Sequence, residues 1–202
     1  MSELTDFLES IGACDELCEW AVSTGCKTVK KLWLRDDLKP EWRILLACHV
    51  LPQSVLRKFV FSCAFDVLHL MDDPRSKQSL NVAKQYVDIV EAKNGLKEAM
   101  DEADRAEYGA LPKGNEHSPK EWAAWSAACV AKYAVSTVIE SNIRFAAMQA
   151  AKAAARAFSD AACFAVNAEV GSKVGAAARE EVGKRQSALL LELAPTLRGM
   201  KL

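Results

Sequence analysis

The sequence predicts an all-α protein: a multi-helix bundle with short N-terminal helices packed on long alanine-rich ones. Three observations carry this. The stretch Ala146-Ala147-Met148-Gln149-Ala150-Ala151-Lys152-Ala153-Ala154-Ala155-Arg156-Ala157 is built mostly of alanine, the strongest helix former. Apolar residues elsewhere recur at three- and four-residue spacing, as one face of a helix requires. No segment of convincing length alternates as a strand does. The 202 residues suit a single domain, 1–202. A subdivision into 1–108 and an alanine-rich 118–202 is open, with a Gly- and Pro-containing loop at 109–117.

Each element has its own justification. Leu4, Phe7, Leu8 and Ile11 align on a first helix over 3–11. Leu17, Trp20 and Ala21 mark a second over 15–22, and 28–34 makes a third. Pro40 suits the first turn of a fourth, whose apolar stripe is Trp42, Leu45, Leu46 and Val50. The segment 54–70 is apolar nearly all round and is therefore expected at the centre. Asp72-Asp73-Pro74-Arg75 interrupts it, and two amphipathic helices follow over 76–92 and 96–108, divided at Asn94-Gly95. Ser118-Pro119-Lys120-Glu121 then reads as a capping box opening the second region. From there to Leu193 an unbroken helix at roughly 1.5 Å per residue would exceed about 100 Å, so the chain must fold back. Breaks are expected near Ser136-Thr137, near Ser141-Asn142 and between Asn167 and Gly175, where Gly171 and Gly175 weaken the helix. Three helices result, roughly 119–139, 142–166 and 174–194.

Composition narrows the function classes. Half the residues are hydrophobic and 26% are charged, enough apolar material for a true core. The formal net charge is −1, which gives no electrostatic basis for direct nucleic-acid binding. No apolar run reaches the roughly 20 residues of a bilayer span. The acidic start Met1-Ser2-Glu3-Leu4-Thr5-Asp6 lacks the basic region of a signal peptide. Seven cysteines, odd in number and set on apolar helical stretches, read as reduced thiols in a cytoplasmic protein.

Candidate chemistry is sparse. Cys14-x-x-x-Cys18 lacks the spacing of a zinc knuckle, so no metal or cofactor is expected. A Cys63–His69 nucleophile pair is conceivable, but nothing in sequence lowers the Cys63 pKa. Asp72, Asp73 and Arg75 form the most distinctive polar cluster; Asp73 reads first as an N-cap before Pro74, and otherwise as a partner- or metal-binding corner. Of five tryptophans, most fit core faces and core is the default for each; Trp33 and Trp125 are less forced, and either one, if exposed, is a candidate contact anchor. His117 in the loop completes the set of partner-contact candidates.

Two groups of residues resemble known proteins. Ile11-Gly12-Ala13-Cys14-Asp15-Glu16, Glu19-Trp20-Ala21, Thr28, Leu32-Trp33 and Pro40-Glu41-Trp42 resemble a leader of phage and bacterial proteins without assigned function. Cys63-Ala64, Val67-Leu68-His69-Leu70, Asp72-Asp73-Pro74-Arg75, Ser79 and Ala83, with the paired alanines from Ala123 to Ala165, resemble the immunity-protein family of bacterial polymorphic toxin systems. The resemblance implies an all-α fold that binds and neutralises a protein, and it transfers no catalytic residues. The leading expectation is thus a non-enzymatic inhibitor of a protein partner, either a toxin or, in a phage, a defence effector such as a CRISPR nuclease complex. A small helical enzyme or ligand bundle with its site near Asp72 and Asp73 is the alternative, and a structural or homo-oligomeric protein is a third.

Overall fold

The computed structural model describes residues 3–86, 95–113, 118–139, 142–165 and 168–195. Among the described residues every regular element is helical, with no strand. The elements are α1 (Glu3–Ser10), α2 (Asp15–Ser23), α3 (Val29–Trp33), α4 (Pro40–Val50), α5 (Gln53–Asp66), a 3₁₀ turn (Leu68–Leu70), α6 (Pro74–Gln85), α7 (Leu96–Ala110), α8 (Pro119–Ile139), α9 (Ile143–Phe164) and α10 (Ala168–Leu193).

Local chemistry places the boundaries. The backbone of Gly12 takes a left-handed φ of 69°. Its N–H and that of Ala13 return to the carbonyls of Glu9 and Leu8, the two bonds of a Schellman stop for α1. Thr28 accepts from the Lys31 N–H at 3.3 Å and starts α3. The capping box at Ser118 is fully made: the Ser118 N–H donates to Glu121 Oε2 at 2.8 Å, and the Glu121 N–H to Ser118 Oγ at 3.2 Å. Asn142 Oδ1 accepts from the Phe145 N–H at 3.2 Å and opens α9.

Three expected boundaries differ from those observed. Helix α8 runs through Ser136 and Thr137 without a break, because both side chains are buried and the Thr137 hydroxyl donates back to the Ala134 carbonyl at 2.7 Å. The central helix ends at Asp66 and not at residue 70, and the chain tightens into the 3₁₀ turn. Helix α10 begins at Ala168, upstream of both glycines. Tertiary packing explains the last: a side chain at Gly175 would overlap the Cys163 Sγ, with Ser159 Oγ at 3.0 Å and the Ser159 carbonyl at 3.1 Å. These glycines let α9 and α10 approach closely, and that contact outweighs their weak helix propensity. The expected stop at Asn94 and the tail of the 76–92 helix lie outside the described residues.

Helices α8 and α9 form the most extensive pairing, followed by α9 with α10 and α7 with α8. Ala146, Ala147, Ala150, Ala151, Ala154 and Ala157 are all buried, so the alanine run is an interface and the small side chains permit close helix approach. Helix α5 lies against α8, α9 and α10, buried through Leu56, Phe59, Val60, Phe61 and Cys63. One continuous cluster of buried apolar residues extends from Leu4 to Ala194. Among the described residues no helix is long and apolar enough to cross a membrane.

Candidate protein-contact site

At the N-terminal end, α2, the turn 34–39 and the start of α4 enclose an open depression of about 350 Å³. Its lining is Glu16, Glu19, Trp20, Ser23, Asp37, Lys39 and Trp42. Trp42 is buried and Trp20 half-buried, their ring centroids 5.3 Å apart and tilted at 48°. Helical periodicity places Glu16, Glu19, Trp20 and Ser23 on one side of α2, and the first turn of α4 brings Trp42 beneath them.

Each tryptophan carries a cation, and each cation carries a carboxylate. The Arg35 guanidinium lies 5.4 Å from the Trp20 ring centre and donates two hydrogen bonds of 2.7 Å to Asp37. Lys39 Nζ lies 4.5 Å from the Trp42 ring centre and pairs with Glu16. The hydrogen bonds from Arg35 hold the Asp37 carboxyl below its ordinary range, and the bond to Glu16 raises the Lys39 ammonium. Such aromatic–cation contacts are individually weak at exposed sites. Exposed ion pairs add little stability, so these groups shape a surface more than they hold the fold.

A second aromatic pair lies on α8. The rings of Trp122 and Trp125 meet edge-on at 5.4 Å, and the Arg156 guanidinium of α9 sits 4.9 and 5.3 Å from their centres. Both rings are half-buried. Nearby, Lys132 joins Glu107 at 2.8 Å and Asp104 at 3.0 Å, tying α8 to α7.

The residues singled out from sequence do not converge. Trp33 is wholly buried, and its indole N–H donates to the Ala194 carbonyl at 3.1 Å; it is a core residue closing the C-terminal end of α10, not a surface anchor. Asp73 caps α6, accepting from the Arg75 N–H at 2.8 Å, and its carboxylate also receives the Arg75 guanidinium at 2.7 Å. Those bonds hold its carboxyl below the ordinary range. The pair lies against Gly109 at the end of α7, whereas Asp72 is exposed beside it. Trp125 remains half-exposed in the α8 pair. His117 lies outside the described residues.

The cysteine–histidine idea also meets a physical obstacle. Cys63 is buried, which drives its thiol pKa far up, and the Gln186 side chain donates to its sulfur at 3.6 Å. His69 lies near Phe158, the ring centres 5.9 Å apart and tilted at 50°. Among the described residues no three His, Cys, Asp or Glu side chains are grouped to hold a metal. Sequence reasoning did not single out Trp20 and Trp42, because both fit core faces. The signal that was there is the absence of Lys and Arg before Lys27. Compared with protein-family models, curated proteins and solved structures, the chain matches none.

Proposed function

We propose that this protein is a non-catalytic inhibitor that binds and neutralises another protein in the cytoplasm, as a toxin immunity protein or a phage-encoded anti-defence protein. The supporting observation is the N-terminal surface, where half-exposed Trp20 is framed by Arg35, Lys39 and three carboxylates. Tryptophan and arginine dominate the energetic centres of protein interfaces, and an open depression suits an inserted side chain better than an enclosed substrate. The resemblance to immunity proteins points the same way.

The test uses the tagged full-length protein as bait in a bacterial lysate, with mass spectrometry of what it retains. We expect one dominant partner whose activity falls on adding the purified protein, and a Trp20→Ala bait that retains much less of it. Recovery of no partner at near-native concentration, or a partner whose activity is unchanged, rules the inhibitor reading out.

A further inference from the structure

The chemistry of the N-terminal surface also says what kind of partner it receives. Residues 3–26 contain Glu3, Asp6, Glu9, Asp15, Glu16 and Glu19 and no Lys or Arg, and all six acids are exposed. The formal charge of the chain is −1, so the remainder is net positive and the near-neutral total conceals an acidic end. This acidic end adjoins the tryptophan depression directly, since Glu16 and Glu19 belong to both.

Resting on the inhibitor reading, we propose that this face docks an arginine- or lysine-bearing segment of the partner protein. Two copies of the required arrangement are already built from the protein's own side chains: Arg35 between Trp20 and Asp37, and Lys39 between Trp42 and Glu16. Both of these places are filled by the protein's own cations, which leaves Glu19 as the carboxylate of the depression open to an incoming one. Glu19 lines the same depression and has no ion pair among the described residues. Val22, one helical turn on from Glu19, is 64% exposed and offers apolar surface to the methylene stem of a long basic side chain. Complementary charge of this kind steers encounter and selects partners. The excess of exposed carboxylates over residues 3–26 disfavours a nucleic acid at this end.

The experiment measures binding of a blocked nonapeptide alternating arginine and glycine to the whole protein by isothermal titration. A glutamate–glycine peptide, a DNA oligonucleotide and spermidine serve as comparisons. We expect binding of the arginine peptide only, weakening with added salt, and about tenfold weaker in the Glu16→Gln/Glu19→Gln double variant. Both glutamates are exposed, and an unchanged melting temperature verifies the fold; Glu19→Gln alone serves if the double variant does not fold. Equal binding to both proteins, no binding, binding of the DNA, or equal affinity for spermidine overturns the proposal. The double variant is also applied to the partner recovered in the lysate experiment. Undiminished inhibition sinks the basic-segment docking while leaving the inhibitor reading intact. Peptide binding without any inhibited partner sinks the inhibitor reading instead.

Discussion

Gly175 sets the distance between α9 and α10 by having no side chain. A Cβ there would overlap the Cys163 Sγ, and moving that sulfur would break its weak hydrogen bond to the Gly171 carbonyl at 3.0 Å. The Ser159 carbonyl, 3.1 Å from the same point, is backbone and can move only with its helix. We therefore expect overpacking at Gly175→Ala to cost about 1–3 kcal/mol, which offsets or exceeds the roughly 1 kcal/mol that alanine contributes by helix propensity. At Gly171 the nearest atom would stand at 3.6 Å, an ordinary contact, so Gly171→Ala is expected to be neutral or stabilising. Urea denaturation of the two variants checks the contrast, and equal midpoints would contradict it. Asp73 offers a second residue-level test. Its folded pKa lies below the unfolded value of about 3.9, so its stabilisation is complete above that value and is lost as pH falls through the folded pKa. Asp73→Ala should cost about 0.5–2 kcal/mol at pH 7. The gap between wild type and variant should narrow as pH drops below about 4; a gap independent of pH would mean that the charge on the cap contributes nothing.

At the scale of elements, the alanine run is decisive because its burial turns a statement about propensity into one about spacing. Ala151 and Ala154 are each 1% exposed, and α9 contacts α8, α10, α5 and α4. Leucine at either position has no free volume to enter, so Ala151→Leu and Ala154→Leu should each lose about 1–3 kcal/mol. Thermal melts of both variants test this, and unchanged midpoints would show that the helices separate without cost. Elements governed by local chemistry were legible in the sequence: the Ser118 capping box, Pro40 at a helix start and Asp73 before Pro74 all occur as their residues demand. Elements governed by distant contacts were not. Nothing local distinguishes Gly171 and Gly175 in a break from glycines at a close helix crossing. Likewise the choice between core and contact anchor for Trp33 is decided by a carbonyl 161 residues away. The N-terminal depression was hidden for the same reason, since Trp20, Arg35, Lys39 and Trp42 meet only when the first four helices pack.

Across the whole molecule, the seven thiols report on whether the two regions of different texture fold as one unit. Cys48 on α4, Cys63 on α5 and Cys129 on α8 are buried, whereas Cys14 is exposed. Burial pushes the Cys48 thiol up to about 12 and raises Cys63 and Cys129 further, so at neutral pH none of the three presents a thiolate to a reagent. Cys14 should therefore be labelled rapidly by an aromatic disulfide in the native state, and the three buried thiols should wait for opening of the core. Cys48 and Cys63 report on the region before the 109–117 loop, and Cys129 on the region after it. The buried cluster runs without interruption from Leu4 to Ala194, and α5 and α6 both contact α8 across the loop. Removing either region would expose the apolar face of the other, a loss scaling at roughly 25 cal/mol per Å², so neither is expected to persist alone. Mass-spectrometric pulse labelling along a urea series should then unmask Cys48, Cys63 and Cys129 at one midpoint, coincident with the change in tryptophan fluorescence. Labelling of Cys129 at a distinctly lower urea concentration than Cys48 and Cys63 would show instead that the alanine-rich helices open as a separate unit and that the subdivision at the loop is a thermodynamic one.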